Sequence, residues 1–321
     1  MISSIVSMPK ADLHLHLNGL FNSAIVRQIL SEEKVILPSN FNPLKDCIIT
    51  NRVESLLDYF KPWEVLHLIP NKIEDLRKLV SSAFQYLDSE NIRYVELRSS
   101  IIYLSDLLGI SLEDTLEIII DILNEFSNIY LVDFNLIITI QRSYKSINDL
   151  RRILEAYCNI GKPKCIVALD LAGDENFQVS KDLSEMFRKA KSKYGLRITI
   201  HAGETGNVNS IYEALDCFSA DRIGHGCVAA NDLKLMERLS REQICVEVCP
   251  TSNYLTGAYS GKPPHIAFHQ YGVPFVICSD NPGIHQKGLS DDYKSFLDEG
   301  GSYEILQHMF NEQMKYSFKR R

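Results

Sequence analysis

Short apolar runs punctuate the chain at residues 10–16, 93–98, 132–140, 164–170, 197–201, 220–225, 244–248 and 274–279, eight in all. Cys165-Ile166-Val167-Ala168-Leu169 and Pro274-Phe275-Val276-Ile277-Cys278 are almost wholly apolar, as parallel strands covered on both faces require. Between the runs, apolar residues recur at helical spacing over 111–127, 145–158, 180–193, 208–217, 231–241 and 301–318. Eight strands alternating with helices predict an α/β fold: a closed (β/α)8 TIM barrel with a helical insertion after the first strand. A doubly wound open sheet is the alternative. The insertion runs from Leu20 to about Asn91. Within it Ser55–His67, apolar at helical spacing around Pro62, is either a lid over the barrel mouth or an outer-layer helix. No repeat, low-complexity tract or Gly/Ser linker divides the chain, so residues 1–321 are expected to form one domain.

Polar residues of the metal-binding kinds collect where the runs stop. His14 and His16 are two apart on the first strand and so share a face, about 6–7 Å apart by strand rise. His201 ends the fifth run, His225 the sixth in Arg222-Ile223-Gly224-His225-Gly226, and Asp280 follows the eighth. The C-terminal strand ends of a barrel form one mouth, which brings these residues together. Of these, His14, His16, His201 and Asp280, three histidines and a carboxylate, make a nitrogen and oxygen donor set suited to zinc. Glu204, three residues past His201, is a candidate proton carrier, and Gly203, Gly224 and Gly226 read as tight-turn residues. His265 and His269 have ligand spacing without a following glutamate and read as structural, while His285 and His308 belong to no constellation.

Composition narrows the partners. A formal charge of −7 argues against a general nucleic-acid or anionic-membrane surface. The eight cysteines are scattered without a Cys-x-x-Cys pair and are expected to be reduced in a cytoplasmic protein. Met1–Ser7 lacks the basic start and long apolar core of a secretion signal, and no apolar run reaches membrane-span length. Lys319-Arg320-Arg321 reads as a solvated tail.

Taken in order, several stretches resemble the adenosine deaminase family of amidohydrolase barrels. They are Pro9–Gly19 with its His-Leu-His-Leu-Asn-Gly ending, Tyr94–Arg98, Asp170–Gly173, His201–Glu204, Arg222–Gly226, Cys249–Asn253 and Ser279–Pro282, and the likeness spans about Met8 to Phe318. The resemblance implies one Zn2+ per chain held by His14, His16, His201 and Asp280. Glu204 would donate a proton to the purine ring, and His225, with Asp280, would orient and deprotonate the attacking water. Strand four offers no lysine to bridge two metals, which favours a mononuclear site, and the Pro-Cys-x-x-Cys signature of cytidine deaminases is missing.

Two positions depart from ordinary members. Asn18 stands where the family carries an acid that bonds the ribose 5′-hydroxyl, and Asn281 where it carries a second aspartate. With Asn18, the chain resembles most the branch acting on nucleoside monophosphates, including methyl-AMP deaminases. By that likeness His67, Arg98, Ser99 and Ser100 would hold sugar and phosphate, with His16, Asn18, Gly173 and Asn281 completing the substrate contacts. An arginine and hydroxyls suit a phosphate. The expected function is therefore hydrolytic removal of the 6-amino group of AMP, dAMP or a 6-alkylated AMP. Deamination of free adenosine or deoxyadenosine is the alternative, and a non-catalytic nucleotide-binding sensor subunit is the alternative of another class. The expected partner is a small purine nucleotide or nucleoside, with no nucleic acid and no membrane; oligomeric state is not legible.

Overall fold

Eight strands, Lys10–His16 (β1), Ile92–Ser99 (β2), Asp133–Gln141 (β3), Ile166–Ala172 (β4), Arg197–Ala202 (β5), Arg222–His225 (β6), Cys245–Val248 (β7) and Phe275–Ile277 (β8), pair in parallel, each with the next in sequence. This computed structural model describes residues 2–319, and the side chains of residues 2, 3, 56 and 57 lie outside the description. The sheet closes on itself one step beyond β8. Asp280 donates its backbone N–H to the carbonyl of His14 at 2.9 Å, and its own carbonyl accepts from the N–H of His16 at 3.0 Å. The expected (β/α)8 barrel is what forms, and the residue that closes it is one of the predicted ligands.

The strands are buried along nearly their whole length, β4, β6 and β7 entirely so, which is why they read as apolar runs. Helices surround them with one apolar face turned inward. Leu112–Tyr130 buries Leu112, Leu116, Ile119, Leu123 and Phe126, and Ser111 caps its start by accepting from the N–H of Asp114. Each fully buried aliphatic or aromatic side chain of this shell contributes roughly 1.5–3 kcal/mol.

The insertion after β1 differs from expectation. It holds five helices, Ser23–Glu32, Pro43–Asp46, Leu56–Tyr59, Trp63–Leu66 and Ile73–Ser89. The stretch around Pro62 is two single turns rather than one helix. Pro62 has no N–H to continue the first turn and instead caps the second. Lys319, in the expected solvated tail, is exposed and pairs with the exposed Asp133 at 2.7 Å, and Arg320 and Arg321 lie outside the described residues. Met1, with which the expected absence of a leader begins, also lies outside them. All eight cysteines are free thiols, five of them buried. Among the described residues no helix is long and apolar enough to cross a membrane.

Candidate active site

The C-terminal strand ends bring four imidazoles together. Ring centroids lie 4.6 Å apart for His14 and His201, 4.8 Å for His14 and His225, and 5.2 Å for His16 and His201. His16 Nε2 faces His201 Nε2 at 3.1 Å, and Asp280 Oδ1 stands 3.5 Å from His16 Nε2 and 3.7 Å from His14 Nε2. The rings approach this closely because β6 offers Gly224 opposite His14. A Cβ there would stand 2.9 Å from His14 Cε1.

Three of the four rings are held by Nδ1. His14 Nδ1 donates to Glu247 Oε2 at 2.6 Å, His201 Nδ1 pairs with Asp170 Oδ1 at 2.9 Å, and His225 Nδ1 with Asn253 Oδ1 at 2.9 Å. Carboxylate partners of this kind fix the tautomer and leave Nε2 as the free lone pair. His14 Nε2 is indeed buried without any partner, and burial drives the His14 ring well below its usual pKa and the His16 ring to about 4. Burial works against the Asp280 carboxylate, but the neighbouring His16 and His225 rings outweigh it and hold the group below the usual range. Neutral imidazoles and an ionised carboxylate are the protonation states a cation requires. The residues therefore fit a zinc ion, whose bonds to nitrogen are about 2.0–2.1 Å. The ligating atoms of His14, His16 and Asp280 lie within 4.8 Å of one another, as do those of His14, His201 and His225.

Asp280 and His225 both adopt left-handed backbone, with φ of 62° and 63°. A non-glycine residue there costs roughly 1–3 kcal/mol and persists only where its surroundings enforce it. For Asp280 the enforcement is Asp12, which accepts from the N–H of His14 at 3.1 Å, and from the N–H and Oγ of Ser279 at 3.1 and 2.5 Å. Glu204 Oε2 lies 3.7 Å from His225 Nε2, and burial pushes its carboxyl above the usual range. Its loop is pinned from both sides by Glu175, which accepts from Gly203 N at 2.5 Å, from the N–H of Thr205 and from Ser210 Oγ at 2.6 Å.

A cavity of about 750 Å³ opens above these groups. His16, Asn18, His67, Ser100, Gly173, His201, Glu204, His225, Asp280 and Asn281 line it as expected, joined by Tyr59, Phe60 and Trp63 from the insertion. The segment around Pro62 is therefore positioned as a lid. Arg98 lines the cavity too, fully buried at its floor, where it pairs with Glu247 and, at 3.1 Å, with Asp170, while its Nε and Nη1 make no hydrogen bond. Two expectations need correction. Ser99, next to Arg98, is buried and does not line the cavity. His285 does belong to a constellation, since its Nε2 lies 2.7 Å from the Tyr59 hydroxyl. The wall also carries Glu64, Asp106, Asp149 and Asp174. The sequence assigned no role to Glu175, Tyr59 or Glu247, and Asp170 entered only as the start of the stretch Asp170–Gly173. Two of the four left a signal, Asp170 as the charge that ends the run 164–170 and Glu247 as a lone charge inside the run Cys245–Val248.

The family model for adenosine deaminase matches residues 9–320. Among curated proteins, the adenosine deaminase of Vibrio vulnificus (strain YJ016) is 29% identical over 298 residues, covering 91% of this chain and 88% of its own. Among solved structures, the N6-mAMP deaminase of Arabidopsis superposes with a TM-score of 0.83 at 25% identity, over 99% of this chain and 96% of that one. The adenine deaminase of Arthrobacter aurescens gives 0.86 at 21% identity, over 97% and 94%, a likeness of fold.

Proposed function

The chain belongs to the adenosine deaminase family and is a hydrolytic deaminase, and from that premise we propose that it exchanges the 6-amino group of an adenine nucleoside for oxygen with one zinc ion held by His14, His16, His201 and Asp280. The observation that carries this reading is the convergence of His14 Nε2, His16 Nε2, His201 Nε2 and Asp280 Oδ1 beside Glu204 and His225.

A bound zinc lowers the pKa of its water to about 7 and so supplies a nucleophile at neutral pH. The chain's own residues do the rest. His225, steadied by Asn253 and facing Glu204, accepts the proton that water loses. As the new C–O bond forms at C6, the electron pair of the ring C=N bond moves to N1, which must gain a proton. Glu204, buried and biased toward its protonated form, delivers it. His225 then gives the proton it took to the amine, the C6–N bond breaks and ammonia leaves; the C6 hydroxyl becomes a carbonyl by returning its proton to Glu204, and the ring is hypoxanthine with its proton on N1.

At the sugar end, electrostatics favour the unphosphorylated nucleoside. Four wall carboxylates, Glu64, Asp106, Asp149 and Asp174, outnumber the two lining arginines, of which Arg98 pairs with Glu247 and Asp170 and Arg142 donates to the His201 carbonyl at 3.0 Å. A phosphate dianion close to that wall meets a repulsion of several kcal/mol before screening. A 5′-monophosphate is the second reading, supported by the neutral Asn18 at the cavity and by the similarity to the Arabidopsis N6-mAMP deaminase. Ammonia release from adenosine, deoxyadenosine, AMP and dAMP, with zinc analysis on the same sample, tests both. The expected result is a kcat/KM at least roughly tenfold higher for the nucleosides, or about 1.4 kcal/mol of discrimination. The reverse preference establishes the monophosphate reading, and no ammonia from zinc-loaded protein removes both.

A further inference from the structure

The hydroxyl of Tyr59 lies at a crossing of polar groups that the mechanism does not use. It stands 2.7 Å from His285 Nε2, 3.1 Å from Ser252 Oγ, 3.1 Å from Asn281 Nδ2 and 3.3 Å from Asp280 Oδ2, and all five residues are buried. A phenol has one proton to give, and its oxygen accepts the rest. Asn281 donates to it through its amide nitrogen. Glycine at position 19 is what leaves room for that amide, since a Cβ there would stand 1.9 Å from its Oδ1, which is buried and unpartnered. His285 supplies a second N–H, because its Nδ1 is buried without a partner and the ring's proton is satisfied only on Nε2. With both of these donors pointing at the oxygen, the phenolic proton is left for an acceptor. Of the neighbours, an ionised carboxylate makes the strongest such bond.

We propose that Tyr59 is a positioning residue matched to Asn281. Its hydroxyl accepts from the Asn281 amide and donates to the outer oxygen of Asp280, tying the lid turn Leu56–Tyr59 to the carboxylate whose inner oxygen faces His14 and His16. The match gives a physical reason for asparagine at position 281. An aspartate there would be an acceptor, and would draw the single proton away from Asp280. The inference rests on the reading of Asp280 as a zinc ligand.

A double-mutant cycle tests it on the full-length, zinc-loaded protein and on chelator-treated protein. Tyr59→Phe is expected to weaken zinc retention in chelator competition by roughly tenfold or more, the usual consequence of removing a group that orients a ligand. It should lower kcat with it and leave the melting temperature of the metal-free protein unchanged. Asn281→Asp is expected to give a loss of similar size. Once Tyr59→Phe has removed the proton, Asn281→Asp should cost little more, so the double variant should resemble Tyr59→Phe alone. Losses that multiply, or single variants within about twofold of the parent, overturn the match. A parent that retains no zinc overturns instead the ligand assignment on which it rests.

Discussion

Glu204→Gln is expected to keep its zinc and lose turnover, with kcat falling by about 10²–10⁴-fold, the usual worth of a positioned general acid. The amide has almost the carboxyl's shape but does not protonate, so the variant removes the transferable proton and little else. Its loop should stay in place because Glu175, rather than Glu204 itself, holds Gly203 and Thr205. The ligand cluster does not include Glu204, so metal content should match the parent. The loss corresponds to about 2.7–5.4 kcal/mol of transition-state stabilisation. A variant that retains zinc and more than a tenth of the parental kcat would show that N1 takes its proton elsewhere.

The barrel was readable because its strands are covered on both faces, so each appears as an uninterrupted apolar run; all eight observed strands fall on the predicted runs, with their ends displaced by a few residues. The predicted ligands were readable for a related reason. A histidine or aspartate that ends an apolar run marks the rim, where the buried strand meets the mouth. What lies inside the barrel was not readable in this way. Arg98 and Glu247 are 149 positions apart and meet only because strands of a closed barrel face each other across its axis. Glu96, two positions before Arg98 on the same strand, takes Arg222 at 2.6 Å, a residue 126 positions away. Tyr59 was not legible because the helical spacing of Ser55–His67 is broken into two single turns, so it does not say which of its aromatics turns inward. Helix Ile73–Ser89 was legible within the expected helical insertion, since its apolar positions 76, 79, 80, 83, 84 and 87 have ordinary helical spacing.

The second large effect is expected at Glu247, the hub of this interior network. One carboxylate oxygen accepts from His14 Nδ1 at 2.6 Å and from Arg98 Nη2, while the other accepts from Arg222 Nε at 2.6 Å and from Thr199 Oγ at 2.9 Å. Glu247→Gln conserves the volume, yet it removes a negative charge between two buried guanidiniums and turns one acceptor into a donor that faces other donors. Taking one partner from a buried ion pair costs roughly 3–5 kcal/mol, because the remaining charge is left uncompensated. Asp170 and Glu96 still partner Arg98 and Arg222, so the lower end of that range is expected rather than complete unfolding. The variant also frees the His14 ring from the acceptor that fixes its tautomer, and zinc affinity should fall by roughly 10–100-fold. Denaturant unfolding of chelator-treated parent and variant isolates the first effect, since bound metal adds its own stabilisation to the folded state. Zinc competition on the folded proteins reads the second. A stability loss below about 1 kcal/mol would mean that Asp170 and Glu96 alone compensate both arginines. Unchanged zinc affinity would mean that His14 is oriented by its packing against Gly224 and the neighbouring rings rather than by its carboxylate.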